Sequence, residues 1–125
     1  KRKNTVWVVF GGSSSIQDVV TNVNFATCPP FDDMDSGLKV HAGMWTNLKD
    51  LMLNRIAPCL ESNIASCCEN ATNKVETIVL TGHSLGGAYA ILARFFLAFS
   101  STVNQSKFRG IDFHVVTFGA PLVFA

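Results

Sequence analysis

Charge is what this chain has little of. Its 125 residues hold ten lysines and arginines and nine aspartates and glutamates, 15% of the total, for a net charge of +1. An average soluble domain carries about 25%. A nucleic-acid-binding face needs cations gathered on one surface. The sole basic run, Lys1-Arg2-Lys3, sits at a chain end and reads as a solvated terminus, so no nucleic-acid partner is expected. Long hydrophobic runs are also missing. No apolar stretch reaches the roughly eighteen residues of a membrane-spanning helix, and no transmembrane segment is expected. Three histidines and four cysteines without paired C-x-x-C spacing leave no zinc pattern. There is no initiator methionine, signal-peptide pattern, internal repeat or low-complexity tract, and the chain reads as a mature product or an internal segment.

What is present is apolar. Hydrophobic residues make up 48%, and a single domain of this length buries roughly two-thirds of its unfolded surface. So little charge fits a sheet covered on both faces, or a part of something larger whose remainder covers apolar surface. Cys28, Cys59, Cys67 and Cys68 allow three internal pairings. With the sequons Asn70-Ala71-Thr72 and Asn104-Gln105-Ser106 they lean toward a secreted, oxidising setting. Reduced, buried thiols in a cytosolic protein are the alternative.

Strands are predicted at Thr5–Phe10, Leu38–His41, Val75–Thr81 and Phe113–Phe118 from β-branched and aromatic runs. The first and third are near-continuously apolar, the pattern of strands buried on both faces of a largely parallel sheet. Trp45, Leu48, Met52 and Ile56 recur at helical spacing, with Pro58 marking the expected helix end. Residues 85–99 are apolar nearly all round, as in a helix packed mid-domain. Cys28–Gly37 and Glu61–Lys74 read as loops. Strands alternating with helices make this an α/β chain, with a mostly parallel central sheet and flanking helices.

The stretch Thr77–Ala90, TIVLTGHSLGGAYA, carries the chemistry. A serine on a sharp strand-to-helix turn adopts a strained backbone, and residues two positions either side must be small; Gly82 and Gly86 meet that demand around Ser84. The turn lifts the hydroxyl clear of the sheet's carboxyl edge, where open α/β sheets bind ligands. The helix that follows aims its N–H groups and dipole at the same spot. Gly-x-Ser-x-Gly alone would occur by chance in roughly 4% of chains this long. A strand directly before it and a long apolar helix directly after it make Ser84 the nucleophile candidate. One oxyanion donor would be the Leu85 N–H. The second is expected from the Phe10–Ser15 stretch that ends the first strand, through Ser13, whose N–H and hydroxyl can both donate. Ser15 and Asp18 form a capping-box pattern, and Ile16, Val19, Val20 and Val23 fall on one helical stripe. Ser14–Phe25 is thus a short amphipathic helix beside the oxyanion loop, either packed on the core or closing over the site as a lid that contacts a lipid surface.

Together these residues resemble the class 3 (fungal-type) lipase family of α/β-hydrolases. Gly82–Gly87 matches its nucleophile elbow. Phe10-Gly11-Gly12-Ser13 with Ser14–Asp18 is similar to its oxyanion strand and lid. Val40-His41-Ala42-Gly43 and Thr117-Phe118-Gly119-Ala120-Pro121 resemble two further segments, in order and at plausible separations. The resemblance implies a partial α/β-hydrolase domain over 1–125. It also implies a serine carboxylic-ester hydrolase acting through Ser84, with Ser13 and Leu85 as oxyanion donors and residues about 14–25 as lid. The implied substrate is a lipid or other carboxylic ester, acylglycerols typically, without metal or organic cofactor. A feruloyl esterase or phospholipase would share the scaffold, and a non-catalytic lipase-like module that binds lipid or a partner is the alternative of another class. The chain departs from the family's usual residues at Gly11, Val19 and Met44, and after Pro121.

A serine hydroxyl needs a base to take its proton and an acid to orient that base, in the chain order Ser, Asp or Glu, His. After Ser84 stand only Asp112, at the start of the last strand, and His114 inside it, at the wrong end of a parallel sheet. His83 is the elbow's middle residue. His41 falls where the family uses it structurally. The resemblance places acid and base beyond residue 125.

Overall fold

A computed structural model describes residues 4–11, 27–31, 37–68 and 74–120. Its centre is a three-stranded, all-parallel sheet in the order β1-β4-β5. The strands are β1 (Thr5–Phe10), β4 (Thr77–His83) and β5 (Asp112–Phe118). The register aligns Thr5, Thr77 and Asp112 at one end and Phe10, Gly82 and Thr117 at the other. Two-residue strands β2 (Thr27–Cys28) and β3 (Val40–His41) form a separate antiparallel pair. Observed bounds differ from the expected ones by a few residues. β4 begins later than Val75 and runs on to His83, directly against the elbow.

β4 is the central strand, and Thr77–Leu80 are buried throughout, flanked by β1 and β5. β1 is different, and this corrects the expectation of burial on both faces. Val6, Val8 and Phe10 turn toward the helices, while Trp7 and Val9 are 63% and 70% exposed. Its apolar run reflects two faces that both favour hydrocarbon, only one of which is covered among the described residues. Val116 and Phe118 of β5 continue the same uncovered face across the sheet, Phe118 at 58% exposure.

Helix α1 (Ala42–Leu51) begins where β3 ends. His41 is its N-cap, its Nδ1 accepting the Met44 N–H at 3.3 Å. That bond satisfies one of the first-turn donors that a helix leaves without an internal acceptor. The periodic stripe behaves as expected: Trp45, Leu48 and Met52 are fully buried. The expected stop at Pro58 does not occur. A π-helical turn spans Met52–Ile56, with the Ala57 N–H reaching Met52, and α2 (Ala57–Cys68) continues through much of what reads as a loop. Proline lacks an N–H and its ring crowds the carbonyl four residues back, which breaks a regular helix. Here it falls in the first turn of α2, just past the wider π turn, where a missing N–H matters least.

Helix α3 (Leu85–Phe99) packs on the sheet and is buried almost all round, as its composition predicts. Ile78, Leu80, Leu92, Phe96 and Leu97 meet α1 in one core. Around it Phe31, Trp45, Phe95 and Phe96 form an aromatic cluster with ring centroids 5.4 to 6.2 Å apart. The buried Trp45 indole donates to the Pro30 carbonyl at 2.8 Å, so the cluster contains no orphaned N–H at that point.

Candidate active site

The elbow lies between the carboxyl end of β4 and the first turn of α3. Ser84 is the N-cap of α3 with φ 53 and ψ −119, and it is the sole non-glycine residue with positive φ among those described. An L-residue held there costs about 1–3 kcal/mol, so the surroundings must over-determine it. They do so through the backbone. The Ser84 N–H donates to the Phe118 carbonyl at 2.7 Å, tying the turn to the end of β5, and the Ser84 carbonyl accepts the Ala88 N–H at 3.2 Å, the first bond of the helix. Just before the turn, the Thr81 hydroxyl donates to the Val116 carbonyl at 2.6 Å. An N-cap serine ordinarily spends its hydroxyl on the helix's own N–H groups. Ser84 makes no such cap bond. Its Oγ is left for other chemistry.

Why glycine on both sides becomes visible in the contacts. A Cβ on Gly82 would fall on the carbonyl group of Gly86 and lie 2.7 Å from the Gly87 nitrogen. One on Gly86 would fall on the Phe10 carbonyl oxygen, 2.9 Å from its carbon. One on Gly87 would sit 3.0 Å from the Gly82 carbonyl oxygen and 3.1 Å from the β-carbons of Thr117 and Ala120. The first turn of α3 thus presses on the ends of all three strands. No side chain fits between them. The Leu85 N–H is among the helix-start donors without an intrahelical acceptor, and the dipole adds partial positive charge at that point.

Of the sequence-predicted site residues, Gly82, Ser84, Leu85 and Gly86 are brought together in this turn. Ser13 and the expected lid residues Ser14, Ile16, Val19, Val20 and Val23 lie outside the described residues. Asp112 and His114 are not brought to Ser84. They stand opposite Thr77 and Val79, which at ~3.3 Å per strand residue places them roughly 23 and 16 Å back along the sheet. His41 uses Nδ1 on its cap, and its buried Nε2 has no partner among the described residues.

Two participants have roles that the quoted motifs do not state. One is the Phe118 carbonyl, a backbone group that any residue could supply. The other is Tyr89 on α3, whose ring stacks on Phe10 with centroids 6.4 Å apart. Burial raises the pKa of the Tyr89 phenol above its ordinary 10.0, with the Asn47 side chain acting in the opposite direction. Tyr89, Phe10 and Gly11 line one end of a cavity of about 980 Å³ between β1 and the α1–α2 junction. Neither Ser84 nor Leu85 borders it. Among the described residues no group of three His, Cys, Asp or Glu is placed to hold a metal ion, and no helix is long and apolar enough to cross a membrane.

The family model for class 3 lipases matches residues 7–125. A lipase of Rhizopus niveus is 33% identical over 94 residues, 74% of this chain and 21% of that protein. The secreted mono- and diacylglycerol lipase 1 of Fusarium solani is 31% identical over 114 residues, 90% of this chain and 28% of that one. Among solved structures, the mono- and diacylglycerol lipase of Aspergillus oryzae superposes with a TM-score of 0.66 at 28% identity, covering 98% of this chain and 39% of its own. The Rhizomucor miehei lipase in its propeptide complex gives 0.68 at 26% identity, covering 98% and 35%. The chain therefore spans well under half the length of the relatives it matches, and its sheet and helices are part of an α/β-hydrolase fold.

Proposed function

The chain belongs to the class 3 lipase family, and on that premise we propose that Ser84 is the nucleophile with which the full-length protein hydrolyses carboxylic esters, acylglycerols foremost. The observation that carries this reading is the backbone of Ser84, held at positive φ with its hydroxyl unspent on the helix it caps. The Ser84 Oγ adds to the ester carbonyl carbon as a base takes its proton. The carbonyl oxygen becomes an oxyanion facing the Leu85 N–H, with Ser13 as the second donor. Collapse breaks the C–O bond, and the departing alcohol receives the proton from the base. Water then repeats the sequence on the acyl-serine and releases the fatty acid. The base and its orienting acid come from parts of the protein other than these 125 residues, since Asp112 and His114 lie far down the sheet. Residues about 14–25 act as the lid that opens at a lipid surface, and the protein works outside the cell, as the Fusarium relative's name says of that enzyme.

A fluorescent fluorophosphonate tests this directly. The full-length protein is expected to form an adduct located on Ser84 by mass spectrometry, and Ser84→Ala is expected to lose both the adduct and ester turnover. Folded full-length protein that forms no adduct would instead be the non-catalytic lipase-like module.

A further inference from the structure

The connection between α3 and β5 is short and tied down on its inner side. Val103 and Phe108 are buried in the core. The Gln105 side chain donates to the Leu97 carbonyl of α3 at 2.7 Å, and the Lys107 ammonium meets the Glu61 carboxylate of α2 at 3.3 Å. Between these anchors Asn104 and Ser106 are exposed. Asn104 opens a 3-10 turn (Gln105–Phe108), and its Oδ1 accepts twice from Ser106, from the N–H at 3.2 Å and from the hydroxyl at 2.6 Å. A backbone N–H can only donate, so the amide atom facing it is the oxygen and not the nitrogen. That leaves the Asn104 Nδ2 without a hydrogen bond among the described residues. Other exposed asparagines do the reverse. Asn54 and Asn63 use Nδ2 on the Asp50 carboxylate and the Cys59 carbonyl, at 2.7 and 2.8 Å.

Resting on the reading that the protein works outside the cell, we propose that Asn104 carries an N-linked oligosaccharide. Asn104-Gln105-Ser106 is an acceptor triplet, and the fold keeps it at the surface with the reacting nitrogen unused. The donor is a lipid-linked oligosaccharide diphosphate. Asn104 Nδ2 bonds to C1 of its terminal N-acetylglucosamine as the bond from C1 to the diphosphate oxygen breaks. The lipid diphosphate leaves with the electron pair, Nδ2 gives up one proton to a base of the transferase, and nothing is oxidised or reduced. The product keeps Oδ1 as an acceptor, so both bonds from Ser106 survive and the turn holds the sugar without rearranging. Its position follows from the topology. Asn104 lies past the far end of α3 and before the amino end of β5, whereas Ser84 is tied to the carboxyl end of β5. The 15 residues of α3 separate the two by roughly 22 Å at 1.5 Å each. The sugar therefore hydrates the end of the domain away from the elbow, in a chain of which only 15% is charged.

The test expresses the full-length protein in a eukaryotic host and reads the protein recovered from the medium. Release of the sugar by peptide N-glycosidase in heavy-oxygen water turns a glycosylated asparagine into heavy aspartate, and the wild-type peptide spanning Asn104 is expected to carry that mark. Asn104→Gln and Ser106→Ala are each expected to lose this glycan, and Ser106→Thr to keep it. For a soluble short-chain ester, kcat and KM of the Asn104→Gln protein are expected to stay within about twofold of wild type. Protein from the medium whose Asn104 peptide is wholly unmodified overturns the proposal, and so does a mark that persists in Ser106→Ala. A larger loss of turnover on removing the sugar overturns its placement away from the site. Protein found only inside the cells overturns the extracellular reading and this proposal together.

Discussion

Replacing Gly86 with alanine asks how much of the site is made by backbone contact. The added Cβ would land on the Phe10 carbonyl oxygen, 2.9 Å from its carbon and 3.3 Å from the carbonyl carbon of Gly11. All three are main-chain atoms, so no rotamer change can relieve the overlap. Ordinary contact begins at 3.4 Å, and the strand end and helix must therefore part by something on the order of 1 Å in a core packed too densely to absorb it elsewhere. Overpacking of this kind costs about 1–3 kcal/mol. Alanine returns up to about 1 kcal/mol through its better helix propensity. The net loss is ~1–2 kcal/mol, or a melting temperature lower by about 2–8 °C in a full-length domain larger than this chain. The effect on the reaction is larger, because a displacement near 1 Å costs about 100-fold in rate. Differential scanning calorimetry and ester hydrolysis on the full-length Gly86→Ala protein measure the two separately. Gly11→Ala is the steric comparison, since a Cβ there meets nothing within 4 Å among the described residues, and its melting temperature is expected to stay within about 2 °C of wild type. A Gly86→Ala protein with unchanged melting temperature and kcat within about threefold would refute the close-approach argument.

Three further outcomes follow from separate parts of the chain. His41→Ala removes the α1 cap and is expected to cost ~1 kcal/mol in urea unfolding, much of it restored by His41→Asn. Burial holds the Tyr89 phenol above its ordinary 10.0, so the unfolded chain loses that proton first. This contribution is complete below pH 10, and stability falls as pH rises from there through the folded value; urea midpoints from about pH 9 to about pH 11 should show the decline, and Tyr89→Phe should flatten it. Trp7→Ser with Val9→Thr removes two exposed apolar side chains, and the isolated 125-residue chain is then expected to bind less anilinonaphthalene sulfonate and to self-associate less by sedimentation; unchanged dye binding would show that this face is not the exposed one.

The elbow was legible because its demands are local. A strand, a turn that needs small neighbours and a helix are consecutive in sequence, so Gly82, Ser84 and Gly86 announce themselves by spacing. The helical stripe through Trp45 and Leu48 was legible for the same reason. Pro58 misled because its meaning depends on what precedes it. In a regular helix it is a stop, but after the π turn at Met52–Ile56 it sits at a start. β1 misled because an apolar run records what both faces tolerate and says nothing of which face is covered.

The residues that could not be read are those whose role is made by the tertiary arrangement. Phe118 lies in a segment that resembles the family's, but it acts through its carbonyl, a role that the segment does not announce. Phe10 and Tyr89 stand on different elements, and nothing in the spacing of 10 and 89 foretells that their rings stack. Yet the strain at Ser84 depends on such partners. A residue held at positive φ relaxes unless its neighbours cannot move, and here the N–H is fixed by β5, the helix by its contact with β1, and β1 by its ladder with β4. The motif names the residue under strain, while the surrounding sheet and helices keep it there.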